Sequence, residues 1–166
     1  MSQTTTHQQA SGHQIRNLRE LEHDPYHAKR KLAEPTVCGQ CGAIYQDGRW
    51  QWGEPAAGAE QATCPACQRI EDHCPAGFLT LGGDFLAQHK DEILHLIHNL
   101  EAREKSEHAL KRIMAIEEQA DGSLLATFTD PHLARAAGEA VHDACKGDLD
   151  YHYQPGEFLL RVTWKR

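Results

Sequence analysis

The chain has 166 residues, the length of one ordinary domain or two small ones. A hydrophobic fraction of 40% and a charged fraction of 25% are typical of a globular protein, and no apolar run approaches the roughly 18 residues of a membrane span. The net charge of −7 is unevenly distributed. Charges cancel within residues 1–70, whereas residues 71–166 carry the whole acidic excess, which argues against a nucleic-acid contact in that part.

Residues 1–34 are predicted to form a flexible polar arm. Residues 1–14 contain almost nothing apolar, so we expect them to be disordered. Because they lack an apolar core, they do not resemble a secretory signal, and we expect a cytoplasmic protein. The arm ends close to three consecutive cations, Lys29, Arg30 and Lys31.

Two CxxC pairs predict a zinc ribbon over residues 35–72. Each pair presents two thiolates from one tight turn, and a predicted hairpin between them (Ala43–Tyr45 and Arg49–Trp52) brings the turns together. Without an export signal, paired CxxC spacing indicates metal binding rather than disulfides. We therefore expect a structural zinc ion held by Cys38, Cys41, Cys64 and Cys67.

Iron is the alternative metal, because a tetrahedron of thiolates also suits a rubredoxin-like centre. The segment Val37–Tyr45 resembles the first half of such a centre, whereas the second pair departs from the pattern at Gln68. Two further cysteines lie outside the predicted site. Cys74 is interpreted as a loop residue, and Cys145 as a small core residue on a helix.

Residues 73–108 are predicted to be a linker and a long amphipathic helix. Asp84 is the expected N-cap, and apolar residues recur at helical spacing from Phe85 to Leu100. After Leu100 the sequence is almost entirely charged, so any continuation of the helix is expected to stand in solvent.

Residues 109–166 are predicted to fold as β-β-α-β-β. Strands are predicted over 111–119 and 123–129 on either side of a turn at Asp121–Gly122, and alternating apolar residues indicate two more over 149–153 and 158–164. Pro131, preceded by Asp130, begins the intervening helix. The predicted fold class is therefore α+β, with an N-terminal ribbon, a long helix and a final layer of two hairpins around one helix.

Aromatic and cationic residues concentrate in and around the predicted ribbon. Such groups can stack on RNA bases and contact phosphates, although one of the two tryptophans is expected to pack in the small core of the ribbon. The predicted RNA or partner contacts are Arg49, Trp50, Trp52, Lys29, Arg30, Lys31 and Arg69.

No catalytic pattern accompanies these features. The sequence has no glycine-rich phosphate loop, no nucleophile elbow and no obvious cysteine–histidine pairing. Four thiolates also leave zinc no open position for water. We expect a protein that is not an enzyme, with no evident small-molecule substrate.

Several motifs together resemble a family of uncharacterised bacterial zinc-ribbon proteins. The resemblance covers about residues 23–166 and lies in HDPY (23–26), EPTVCGQCG (34–42), RWQWG (49–53), CPAC (64–67), PAGF (75–78), RIMAIE (112–117) and TDPHLAR (129–135). That family is in turn similar to the N-terminal region of the archaeal and eukaryotic adaptor that escorts the large ribosomal subunit. The resemblance implies a factor associated with the ribosome or with RNA.

Three functional hypotheses follow from the sequence. The first is a zinc-ribbon protein that binds the ribosome or structured RNA through residues 15–70. The second is an adaptor or regulator that binds protein without nucleic acid, which the acidic C-terminal part and the strand Leu149–Tyr153 favour. The third is a redox or metal-responsive protein that uses an iron site or Cys74.

Overall fold

The computed structural model describes residues 24–27 and 31–166. The predicted contacts Lys29 and Arg30 lie outside the described residues, as do residues 1–23. The first part of the fold is a small four-stranded sheet followed by a short helix, which together we call the ribbon (residues 36–71). Its elements are β1 (Thr36–Cys38), β2 (Ile44–Gln46), β3 (Arg49–Gln51), β4 (Glu60–Ala62) and α1 (Pro65–Glu71).

The strand order of the ribbon, β3-β2-β1-β4, brings its two CxxC segments together. β2 and β3 form the predicted hairpin, whose turn residues Asp47 and Gly48 both have positive φ, at 53° and 75°, as a tight primed turn requires. β4 runs parallel to β1 and places Ala62 opposite Cys38. The chain therefore arrives at Cys64 beside the first cysteine pair.

The remainder of the chain forms a second sheet with two helices, which we call the α+β region (residues 77–166). The sheet has the order β6-β7-β5-β9-β8, in which only the central pair β5–β9 is parallel. Its elements are β5 (Gly77–Gly82), α2 (Asp84–Glu107), β6 (Ile113–Glu118), β7 (Leu124–Phe128), α3 (Pro131–Cys145), β8 (Asp148–Tyr153) and β9 (Leu160–Lys165).

One face of this sheet packs against both helices and forms the main core. Alternate residues of the three central strands, such as Leu79, Phe128 and Trp164, are fully buried there with residues of α2 and α3. A side chain at Gly138 would place its Cβ 2.6 Å from the Val162 side chain, so glycine allows α3 to approach the sheet closely. Predicted fold class and observed architecture agree: the protein is α+β.

The sheet contains a strand that the sequence analysis missed. β5 lies at its centre, although residues 77–82 were predicted to belong to a linker, so the sheet has five strands instead of four. The short helix α1 was also not predicted. The predicted start of α3 at Pro131 is confirmed, and Asp130 caps the helix, since its carboxylate accepts hydrogen bonds from the backbone N–H groups of His132 and Leu133.

Helix α2 differs from its prediction at both ends. Asp84 is its first helical residue and not its N-cap, because Gly83 takes that position with a φ of 97° and the Arg166 carbonyl accepts the Phe85 N–H. Beyond Leu100 the helix does not stand free in solvent, since it continues to Glu107 and its last turns contact the ribbon and β6. Among the described residues, no helix is long and apolar enough to cross a membrane.

Candidate metal centre and adjoining groove

The first cysteine pair is positioned by the turn that follows β1. Cys38 is the last residue of β1, and its carbonyl accepts a hydrogen bond from the Gly42 N–H at 2.9 Å. Gly42 has a φ of 77°, which lets the chain reverse so that Cys38 N–H reaches the Ala43 carbonyl at 2.8 Å. Cys38 and Cys41 are thereby presented from one tight loop.

The second pair lies at the start of α1. Cys64 is the N-cap of this helix, with Pro65 in the first turn, and its sulfur accepts a hydrogen bond from the Cys67 N–H at 3.4 Å. The Cys64 N–H in turn donates to the Cys38 sulfur at 3.3 Å. Backbone donors aimed at sulfur favour the thiolate form, which is the form that binds metal.

The four sulfur atoms form one compact group. All lie within 4.8 Å of one another, and the Cys41 and Cys64 sulfurs are 3.7 Å apart. This spacing is far longer than a disulfide, and all six cysteines are free. A tetrahedral site with metal–sulfur bonds of about 2.3 Å has sulfur–sulfur edges of about 3.8 Å, which the observed spacing fits. Cys38, Cys41, Cys64 and Cys67 can therefore hold one metal ion.

Burial works against charge on the Cys38, Cys64 and Cys67 thiols in the absence of a metal ion. It raises the pKa values of Cys64 and Cys67 above the ordinary range of a thiol. At Cys38 burial acts in the same direction, but backbone N–H groups of Cys64, Cys41 and Gln40 outweigh it and lower the pKa to about 6. A divalent metal ion supplies the positive charge that lets all four sulfurs ionise together.

One residue from the α+β region reaches into the cysteine cluster. The Arg112 guanidinium donates hydrogen bonds to three sulfurs, those of Cys41 at 3.0 Å, Cys67 at 3.2 Å and Cys64 at 3.4 Å. Arg112 is 6% exposed, and no carboxylate of the described residues forms an ion pair with it. Because a buried guanidinium needs an anionic partner, its position fits a cluster of thiolates and not of neutral thiols.

The sequence analysis did not identify Arg112 as a site residue. It appeared only within the family motif RIMAIE, since nothing local distinguishes an arginine that precedes a strand. Its partners are 45 to 71 residues away along the chain, a separation that spacing rules for CxxC pairs do not reach.

A groove lies beside the metal centre, between the ribbon hairpin and the segment that joins α2 to β6. Its volume is about 800 Å³. Residues of β3 line one wall, and residues 106–111 line the other. Four of the predicted contact residues meet in this groove: Lys31, Arg49, Trp50 and Trp52.

The two tryptophans occupy different environments, as predicted. Trp50 packs against the cysteine cluster and meets the Tyr45 ring edge-on at 5.6 Å. Trp52 is 37% exposed, and its indole N–H donates to the Lys105 carbonyl at 2.6 Å. The Arg112 guanidinium lies 5.8 Å from the centre of the Trp52 ring, so Trp52 lies beside the arginine that donates to the sulfurs.

Arg69 does not belong to an open contact surface, contrary to the prediction. Its side chain is buried under the Tyr26 ring, with a guanidinium–ring distance of 4.3 Å. It also forms an ion pair with Asp24 at 2.6 Å and donates to the Cys74 carbonyl at 3.1 Å. Arg69 is a buried residue of α1. It therefore connects Asp24, which precedes the ribbon, to Cys74, which follows it.

Comparisons of the chain with protein-family models, curated proteins and solved structures give no match.

Proposed function

We propose that this chain is a non-enzymatic zinc-ribbon protein that acts in the cytoplasm. It binds RNA, such as the RNA exposed on ribosomal particles, in the groove beside its metal centre. The observation that supports this function most is the convergence of exposed Arg49, Lys31 and Trp52 on one groove. The bacterial family resemblance points in the same direction.

Zinc is the metal we propose for the cysteine cluster. Four thiolates at tetrahedral spacing leave no open coordination position, which is typical of structural zinc. Metal analysis of the purified protein is expected to give one equivalent of zinc and a colourless solution. A red protein that contains iron would instead support the rubredoxin-like alternative.

The groove has the chemistry for a short stretch of single-stranded or looped RNA. The exposed part of Trp52 offers a stacking surface for a base. Lys31 and Arg49 are exposed, and neither forms an ion pair among the described residues. With two phosphate contacts, the logarithm of the binding constant is expected to fall with the logarithm of salt concentration with a slope of about −1.4.

Sedimentation of cell extract through a sucrose gradient, with and without nuclease, tests the RNA proposal. The protein is expected to migrate with ribosomal particles and to leave them when Arg49 and Lys31 are both replaced by glutamine. Arg161→Gln is the matched control, because Arg161 is an exposed arginine on β9, away from the groove. Migration that is unchanged in the double variant would contradict the proposal.

A protein partner without nucleic acid is the second candidate function. It is favoured by β8, which is an edge strand of the large sheet and exposes Asp148, Asp150 and His152 along one side. An edge strand offers unpaired backbone groups to another chain. A complex that survives nuclease and is lost when Asp148 and Asp150 become lysine would support this function over RNA binding.

A further inference from the structure

Arg112 connects the ribbon and the α+β region, which contain separate sheets. Its guanidinium contacts the cysteine cluster of the ribbon, whereas its backbone immediately precedes β6. The Arg112 N–H donates to the Thr129 hydroxyl at 2.9 Å, and the Arg112 carbonyl accepts the Thr129 N–H at 3.0 Å. The Thr129 hydroxyl donates to the Leu110 carbonyl at 2.6 Å, so the backbone on both sides of Arg112 is fixed to the α+β region.

The hydrogen bonds of Arg112 use the whole fork of its guanidinium. Nε donates to the Ala109 carbonyl at 3.0 Å, and the two terminal nitrogens donate to the three sulfurs. A planar group with donors on all three nitrogens suits this set of acceptors, whereas a lysine ammonium is a compact point charge. The charged groups that face the guanidinium are the thiolates, since no carboxylate of the described residues pairs with it.

We propose that Arg112 is an outer-shell residue of the metal centre, and that through it the metal fastens the ribbon to the α+β region. A divalent ion neutralises only half the charge of four thiolates, and the Arg112 guanidinium neutralises half of what remains. Hydrogen bonds from Arg112 also orient three of the four sulfurs. Outer-shell donors orient the ligands, and the loss of one typically weakens metal binding about 10–100-fold.

The coupling acts in both directions. When the metal leaves, nothing holds the three sulfur acceptors together around the buried Arg112 guanidinium, so its hydrogen bonds to the ribbon are expected to be lost. The contact between the ribbon and residues 105–112 is then expected to open, including the hydrogen bond from Trp52 to Lys105. By thermodynamic reciprocity, weakening this contact also weakens metal binding.

Zinc affinity is the first test, measured by competition with a chromophoric chelator on the full chain. Arg112→Gln is expected to bind zinc roughly 10–100-fold more weakly than the unaltered protein, and Arg112→Lys to lie between them. Arg135→Gln is the control, because Arg135 is a half-buried arginine of α3 that pairs with Glu139 and contacts no sulfur. Unchanged affinity in Arg112→Gln, or an equal loss in Arg135→Gln, would overturn the proposal.

The absorption spectrum of the cobalt-substituted protein separates an electronic role from a loss of folding. Hydrogen bonds withdraw electron density from sulfur, so their loss in Arg112→Gln is expected to shift the sulfur-to-cobalt charge-transfer band to lower energy. Arg135→Gln is expected to leave the band in place. If Arg112→Gln does not fold, Arg112→Lys serves the same comparison, and an unshifted band in the folded variant contradicts an outer-shell role.

Amide hydrogen exchange tests the coupling between metal and domain contact. Removal of zinc is expected to increase exchange in residues 105–113, with little change in β5 or α3. In Arg112→Gln this segment is expected to exchange fast even with zinc bound. If zinc removal leaves exchange in residues 105–113 unchanged, the metal does not fasten the two regions, whatever its affinity.

Discussion

The ribbon and the α+β region are stabilised by different means. Strands of the ribbon are three residues long, and the buried residues around its cysteines have small side chains such as Ala43 and Ala66, with Trp50 only partly buried against them. The α+β region buries large side chains, among them Leu79, Phe128 and Trp164. A core as small as that of the ribbon does not balance the entropy of folding, so we expect a metal ion held by the four cysteines to supply the difference. On this proposal a single chain combines a metal-dependent fold with one that depends on apolar burial.

Loss of the metal is expected to have the largest effect and to be confined to the ribbon and the adjoining residues 105–113. Structural zinc sites contribute about 10–16 kcal/mol of apparent binding free energy near neutral pH. In Cys64→Ser the ribbon is expected to unfold, with fluorescence of Trp50 and Trp52 shifted to longer wavelength and Trp164 still buried. Tryptophan fluorescence reports the change in the ribbon, whereas far-ultraviolet circular dichroism is dominated by the helices α2 and α3 of the α+β region.

Cys74→Ser is the matched control for this experiment. Cys74 is exposed and lies outside the sulfur cluster, so its replacement is expected to leave zinc content and fluorescence unchanged. If Cys64→Ser unfolds the whole chain in one transition, the two regions are not stabilised independently and the comparison fails.

A cavity in the core of the α+β region is expected to destabilise that region and to leave the metal centre intact. Leu79 is fully buried in the central strand β5, and Leu79→Ala is expected to lower the free energy of unfolding of the α+β region by about 2–5 kcal/mol. Zinc content is expected to remain at one equivalent. Urea unfolding followed by circular dichroism gives the stability, with Thr80→Ala on the opposite face of the same strand as control.

Sequence reasoning found the features of both regions that depend on neighbouring residues. The two CxxC pairs, the hairpin around Asp47–Gly48 and the helix start at Asp130–Pro131 are each encoded within a few positions. The structure brings the four cysteines together and confirms the hairpin and the helix start. Alternation along Leu149–Tyr153 also predicted β8 correctly.

Features that depend on distant partners were missed. β5 is a six-residue strand that begins and ends with glycine, and it becomes a central strand only through pairing with residues 124–128 and 160–165. The residues next to Arg112 in the sequence do not distinguish it from an ordinary surface cation. Only the assembled fold brings it to the sulfurs. Arg69 was assigned to the surface because a seven-residue helix beginning at Pro65 was not foreseen.

The contact between the two regions offers a smaller perturbation. Trp52→Phe removes the indole hydrogen bond to the Lys105 carbonyl while keeping an aromatic ring, and is expected to cost about 1 kcal/mol. The effect should appear as faster amide exchange in the last turn of α2. Trp50→Phe is the control, because the Trp50 indole packs against the cluster and forms no hydrogen bond in the described residues. Equal effects of both changes would indicate that ring volume, not the hydrogen bond, matters here.

The smallest expected effect is a titration that should not depend on the metal. Burial, reinforced by the charge of Glu139, raises the pKa of Tyr151 to about 12. Since the pKa is raised on folding, this protonated phenol contributes stability below pH about 10, the ordinary pKa of tyrosine, and that stability is lost as pH rises toward 12.

The difference in phenolate absorbance between the unaltered protein and Tyr151→Phe measures this titration. Glu139→Gln is expected to lower the pKa of Tyr151, because it removes the negative charge beside the phenol. Because Tyr151 packs on the core of the α+β region, removal of zinc should leave its titration unchanged, and a fall of the pKa toward 10 in zinc-free protein would show that this region also depends on the metal.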